Sequence, residues 1–330
     1  MTAAWQDDAI GGRQGVRIGL SAVVMTLRER QLCVLTTGPA DAPALPFGPF
    51  DPVRDRTFEL SLRAFVTAQT GFRPGFVEQL YTFGDAGRAS PRPTQGPDKQ
   101  REISVGYLAL TRDAAAADGA EARWTPVFDV FPWEDRRART DTLVPPHDAL
   151  VTAFDLWTGG DPRRLARTDP LFALEAGARW NEERVLERFE LLYEAGLVAE
   201  ARRDGVVAPA QTALEASGAL VPGLAMASDH RRILATALGR LRSKLKYRPV
   251  LFDLMPETFT LSDLQGAAEA VAGLSLHKQN FRRGVERTGL VEATGRLSAA
   301  TGGRPAELFR FAGADPERGQ APGLALPAQR

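Results

Sequence analysis

The chain of 330 residues has a single cysteine, Cys33, in the apolar run QLCVLTT. One thiol cannot close an intramolecular disulfide, so a disulfide-stapled secreted scaffold is excluded. A buried structural thiol in a reducing cytoplasm is expected instead. No run of about 18 apolar residues occurs, and the start, MTAAWQDDAIGG, has no basic stretch leading into an apolar one. Neither a membrane span nor a secretory leader is expected. Net charge is missing too, with 41 basic residues against 41 acidic. Their distribution is uneven: residues 226–330 hold 16 Lys/Arg and 10 Asp/Glu, which leaves 25 and 31 in residues 1–225. A basic C-terminal part is compatible with a polyanionic partner there. What is present is ordinary for globular proteins, 44% apolar and 25% charged, on a chain long enough for two or three domains.

Residues 16–37 read as two strands with a polar turn at Arg28–Arg30. A Pro/Gly-rich loop, ADAPALPFGPFDP, leads to a helix over 57–70, whose Phe58, Leu62, Phe65 and Val66 share one face and which Gly71 stops. VEQLYTFGD and ISVGYLALTR are expected to be strands, separated by a Pro-, Gly- and Arg-bearing loop over 86–100. This pattern predicts an α/β or α+β unit ending near Pro132. Residues 133–225 predict helices over 148–157 and 182–195, then a connector rich in Ala, Gly and Pro. YEAGLVAEA and ERTGLVEAT look alike, which predicts a helix–strand corner at both. Residues 226–315 predict a long helix over 229–246, with its apolar stripe at Ile233, Leu234, Ala237, Leu238, Leu241 and Leu245. A helix opened by the capping-box pair Thr260/Asp263 and closed by Gly273 follows. Ser275 is expected to cap the next helix, which Gly289 ends. Residues 316–330 read as a frayed tail.

The segment LSLHKQNFRRGVERTGLV followed by GRLSAATGGRPAELFRF has the outline of a helix and a hairpin. On a helix over 276–288, Lys278 and Arg282 are i, i+4 neighbours, as are Gln279 and Arg283, and Arg283 and Arg287. Phe281, Val285 and Leu276 face inward. That leaves one face bearing Lys278, Gln279, Arg282 and Arg283, with Asn280 at its edge. The major groove accepts such a helix: Arg and Lys match guanine acceptors or phosphates, Asn and Gln match adenine. Arg296 and Arg304 flank a Gly-rich loop suited to phosphate or the minor groove. The alternatives are a solvated basic face with a surface hairpin, or a module that docks protein or RNA. His277 reads as a capping or surface residue.

LPFGPFDP, the helix and TGF resemble a Nudix box, in which paired helix glutamates hold magnesium against a diphosphate. With Gly71 set on the motif's last glycine, Ala68 and Gln69 stand where those glutamates belong, and Ala64 and Phe65 replace its Arg-Glu pair. Glu59 is the one carboxylate in this helix. Hard cations need several oxygen ligands, so hydrolysis here is not expected.

Residues 227–311, through SDHRRILATALGRLRSKLKY, FTLSDLQGAAEAV, NFRR and GGRPAELFRF, resemble the winged-helix half of Nudix-related transcriptional regulators of NAD metabolism. EQLYTFGDAGR and ISVGYLALTR are similar to the strands after the Nudix helix in the same NrtR-like proteins. The segments FPWEDRRA and NEERVLERFELLYEAGLVAEA resemble the NadQ-type branch. The resemblance implies an α+β multidomain chain: a degenerate Nudix-like α/β/α sandwich over 1–132, a helical insertion over 133–225, and a winged helix-turn-helix over 226–315. It implies a cytoplasmic homodimer that represses NAD synthesis genes from a palindromic operator in double-stranded DNA. NAD, ADP-ribose or ATP would be the effector, with no metal, catalytic cofactor or membrane. By position, Lys278, Asn280, Arg282 and Arg283 fall in the recognition helix and Arg304 in the wing, with Gln279 and Arg287 beside them. Candidates for the ligand pocket are Gly48, Phe50, Arg88 and Tyr107: Arg88 pairing with diphosphate, Phe50 or Tyr107 stacking on adenine. The alternative is a divergent Nudix hydrolase drawing metal ligands from Glu78, Asp85 or Glu102.

Overall fold

The apolar run that begins at Val16 builds the spine of a six-stranded mixed sheet. The computed structural model describes residues 16–74, 77–84, 101–112, 122–137, 145–174, 178–206, 223–298 and 305–313. Strands β1 (Val16–Arg28), β2 (Gln31–Thr36), β4 (Val77–Phe83), β5 (Arg101–Leu110) and β6 (Arg123–Pro126) lie in the order β4-β5-β1-β2-β6. The short β3 (Phe47–Pro49) also pairs with β1. The β1–β5 pair is parallel and the rest are antiparallel. As expected, β1 and β2 join through a tight turn, in which Glu29 and Arg30 take φ of 48° and 62°. Both signs suit a two-residue hairpin turn that follows the twist of its strands.

The sheet is covered on both faces, so its strands read as apolar runs instead of alternating ones. Leu20, Ala22 and Val24 of β1, with Val105, Tyr107 and Ala109 of β5, meet Leu62 and Val66 of α1 (Phe58–Thr70). Val23 and Met25 of β1 and Leu32 and Val34 of β2 join the opposite core, with α2 (Val127–Val130) and α7 (His230–Lys244). Helix, sheet and helix thus form three layers. Helix α1 begins and ends where its sequence says: Thr57 Oγ1 accepts from Leu60 N–H, and Gly71 closes it at φ 68° with its N–H on Thr67 O. Cys33 is buried and its thiol is pushed up to about 11 by burial, so it stays protonated at neutral pH.

The middle of the chain adds α3 (Pro145–Thr158), α4 (Pro162–Phe172), α5 (Val185–Glu194) and α6 (Ala199–Arg203). Two of these match the predicted helices, and α4 and α6 were not foreseen. Helix α4 has few apolar positions, but Asp161 accepts from Arg163 N–H to cap it and Pro162 opens its first turn. The corner at YEAGLVAEA turns into α6 and not into a strand: Gly196 takes φ 73°, and Leu197 and Val198 are buried in the core. At ERTGLVEAT the expected strand does follow, as β7 (Val291–Leu297).

Helix α7 buries the predicted stripe of Ile233, Leu234, Ala237, Leu238 and Leu241, and lies directly on the sheet. A Cβ at Gly106 of β5 would stand 3.2 Å from Ile233. At its first residue, His230 Nδ1 accepts from the backbone N–H of Leu45, at 3.1 Å. The chain then passes through a short 3-10 turn, Val250–Asp253, into α8 (Leu261–Ala272), α9 (Lys278–Thr288), β7 and β8 (Glu307–Phe311). Strands β7 and β8 form an antiparallel hairpin, and a bridge between Phe259 and Phe309 ties it to the segment before α8. The connector over 207–222 and the tail from 314 lie outside the described residues. Among the described residues no helix is long and apolar enough to cross a membrane.

Candidate nucleic-acid interface and sensor site

Helix α8 opens with the capping box the sequence announces: Thr260 Oγ1 accepts from Asp263 N–H and the Asp263 carboxylate from Thr260 N–H. Gly273 ends it at φ 71°. The turn that follows is held from α8 itself. Glu269 Oε1 accepts from Leu276 N–H (2.9 Å), and Gln265 Nε2 donates to Leu276 O (2.9 Å). The N-cap of α9 is His277, which makes no side-chain cap bond. Ser275 is not the cap: its hydroxyl donates to Arg137 O at 2.6 Å, tying the turn to another part of the chain.

Helix α9 buries Phe281 and Val285, and Leu276 is buried just before it, as predicted. Lys278, Gln279, Asn280, Arg283 and Arg287 are exposed, and Arg282 is half-buried. No salt bridge engages Lys278, Arg282, Arg283 or Arg287 among the described residues; Arg287 only donates to Arg283 O at 3.4 Å. The helix therefore offers its cations to solvent, while two apolar anchors fix its roll. On the hairpin, Arg296 is exposed, and Gly295 takes φ 70° where the β7–β8 register shifts. Arg310 pairs with Glu292 across the strands. Arg304 lies outside the described residues.

At the other end of the molecule, Gly48 of β3 lies under α1, where a Cβ would stand 3.0 Å from the Phe65 ring. Phe50 packs edge-on against Phe58 at 4.6 Å between ring centres. Tyr107 is buried in the core beneath α1, and its hydroxyl is pushed up by burial, with Glu59 adding to it. Its ring is thus enclosed by protein, whereas Phe50 is only half-buried beside the β3 loop. Arg88 lies outside the described residues. Gln69 spans to β3 with both ends of its amide: Nε2 donates to Phe47 O (2.6 Å) and Oε1 accepts from Phe47 N–H (3.2 Å). A side chain engaged this way holds the loop strand to the helix, and Ala68 beside it is exposed with no polar group to offer.

The carboxylates of the hydrolase alternative do not converge. Glu78 is paired with Lys244 and, at 3.9 Å, with Arg240, on the α7 side of the sheet. Glu102 Oε1 sits near Gly19, and Asp85 lies outside the described residues. Among the described residues no group of three or more His, Cys, Asp or Glu could hold a metal.

The residues that join the two ends were not foreseen as partners. Glu134, with no exposed surface, receives Arg188 of α5 (Nε–Oε1 2.6 Å, Nη2–Oε2 2.9 Å) and Arg242 of α7 (Nη1–Oε2 2.5 Å). Burial alone would raise its carboxyl, but the two guanidiniums outweigh burial and hold it below the usual range. A second buried pair joins Arg231 to Glu200 at 3.1 Å.

Comparison with known proteins bears on both ends. Residues 251–311 match the family model of the NrtR DNA-binding winged helix domain. Over 89 residues, 27% of this chain, the sequence is 43% identical to the ADPR responsive transcriptional repressor NtrR of Acinetobacter baylyi. That match spans 35% of the relative, about a third of its length. NrtR of Shewanella oneidensis, solved in complex with a 27mer DNA, is similar in structure with a TM-score of 0.52 at 20% identity, over 94% of this chain and 99% of that one. A further structure of the Shewanella protein gives 0.51 at 19% identity over the same shares. Residues 251–311 thus match the NrtR DNA-binding winged helix domain family model, and the chain as a whole shares the fold of the Shewanella structures.

Proposed function

We propose that this protein is a transcriptional repressor that binds double-stranded DNA through α9 and releases or tightens its hold when a nucleotide occupies the Nudix-like domain. The observation that carries the reading is α9 itself, a helix anchored by Phe281 and Val285, with Lys278, Gln279, Asn280 and Arg283 exposed and Lys278 and Arg283 in no salt bridge among the described residues. Such a face reads base edges through Gln, Asn and Arg and takes phosphates through Lys and Arg. The wing, with Arg296 and Arg304 about its loop, reaches backbone or minor groove. Two copies would bring two such helices to a palindromic operator about one duplex turn apart. A regulator of this kind works in the cytoplasm.

The effector is of the ADP-ribose class, in line with the Acinetobacter relative's name, and NAD and ATP share its adenine nucleotide part. Gly48 and Phe50 line the loop where such a ligand would sit, and Arg88 would meet its diphosphate. NAD synthesis genes are the fitting targets, since the effector reports on that cofactor. The Nudix-like domain binds without hydrolysing: Ala68 offers no ligand, and Gln69 spends its amide on β3. The test begins with selection of duplexes from a random-sequence pool by the whole protein. Enrichment of a two-fold symmetric sequence supports the reading, and no enrichment overturns it. Turnover of ADP-ribose with Mg²⁺ by the same preparation would revive the hydrolase alternative.

A further inference from the structure

We propose that Glu134 is the positioning residue that couples the sensor sheet to the recognition helix, an inference that rests on the repressor reading above. Its segment, residues 131–137, leaves β6 and α2 at the edge of the sheet and runs under the turn between α8 and α9. There the two are stitched backbone to backbone. Arg136 N–H donates to Gly273 O at 2.7 Å, Leu274 bridges Arg136 in parallel, and Ser275 Oγ donates to Arg137 O. Gly273 is a position only glycine can fill, because a Cβ there would overlap Glu134 O. Two residues, Leu276 and His277, separate Ser275 from Lys278, the first residue of α9, so a displacement of the segment is delivered to the recognition helix with little slack.

Glu134 makes that segment a junction. Its carboxylate gathers Arg188 from α5 and Arg242 from α7. Arg242 in turn donates through Nε to Val271 O in the last turn of α8, at 2.9 Å. One fully buried carboxylate thus fixes the helical insertion, the helix that covers the sheet and the helix before α9. The sheet has a second grip on the same unit. Arg30, in the β1–β2 turn, reaches Ser262 O at 3.4 Å and lies against Gly266 of α8. Arg137 Nη1 donates back to Arg30 O at 3.3 Å. A rearrangement of the strands on ligand binding therefore has two routes into α8–α9, and both meet at 131–137. Coupling of this kind needs a packed element with discrete arrangements, not distance alone.

The test measures duplex affinity of the full chain with and without saturating ADP-ribose, using the duplex selected by the wild type. For the wild type the two affinities differ by about tenfold or more, within the usual range for coupled sites. In Glu134→Gln the ratio falls below about twofold, while the affinity for ADP-ribose measured without DNA is unchanged. Arg30→Ala with Ser275→Ala removes exposed contacts and leaves no buried charge behind, so it decides the matter should Glu134→Gln fail to fold. It too is expected to shrink the ratio. If the wild type responds and both variants respond equally, the coupling role is overturned and the repressor reading stands. If the wild type neither binds duplex nor responds to ADP-ribose, both fall.

Discussion

Arg282 and Arg283 make no ion pair among the described residues, so their removal leaves no partner stranded. Arg282→Ala with Arg283→Ala should abolish the gel shift of the selected duplex, yet change stability by no more than about 0.5 kcal/mol, as is usual for such surface sites. Melting curves beside the gel shift check both halves; binding that survives would remove α9 from the interface. His230 is the opposite case. Burial, with Arg203 nearby, pushes its imidazole down to about 4, and it accepts from Leu45 N–H only while neutral. The unfolded chain takes up a proton near the ordinary value and the folded one does not. Stability from this residue is therefore complete above about pH 6.5 and declines as pH falls towards 4. By about pH 5 the loss is about 2 kcal/mol, readable as a drop in melting temperature that His230→Gln lacks. An equal slope in that variant would assign the effect to other groups.

The elements divide by how local their causes are. Helix α1 was legible because Thr57, a four-residue apolar spacing and Gly71 all lie inside it, and α8 because Thr260, Asp263 and Gly273 do. The β1–β2 hairpin was legible from its apolar runs. Helix α4 was not, although Asp161 and Pro162 mark its start, because its apolar positions are few and Pro170 stands inside it, where a helix is not expected. The Glu134 junction was not legible either: its partners lie 54 and 108 residues away, and a buried Glu or Arg has the same letter as a solvated one. Nor could the sequence tell that Ser275 bonds to Arg137 instead of capping α9. The α8–α9 turn carries its own prediction. Gly273→Ala must take φ 71° with a side chain and push against Glu134 O. It should cost about 2 kcal/mol or more, measured by denaturant unfolding, whereas Gly284→Ala, in open space on α9, should cost nothing.

Taken whole, the chain sets a net-acidic stretch, residues 1–225, against a net-basic one, residues 226–330, and buried ion pairs such as Glu134 with Arg242 bind the two. Removing one partner of such a pair leaves a charge uncompensated, which is why Glu134→Ala should destabilise by about 3–5 kcal/mol in chemical denaturation. The outward cations make a different claim, about solvent. If they neutralise phosphates, each contact releases counterions, and duplex affinity should drop on the order of a thousandfold between about 50 and 200 mM salt. A flat response would mean that α9 does not face the backbone.

One chain, in the reading proposed above, holds DNA through α9 and a nucleotide through its sensor domain. Anisotropy titration of the selected duplex with the full chain, repeated at rising ADP-ribose, addresses it in a single measurement. Binding in the nanomolar range at low salt is expected, with a midpoint that moves steadily with ADP-ribose until the nucleotide saturates. A duplex that never binds, or a midpoint that stays fixed while ADP-ribose demonstrably occupies the protein, would contradict it.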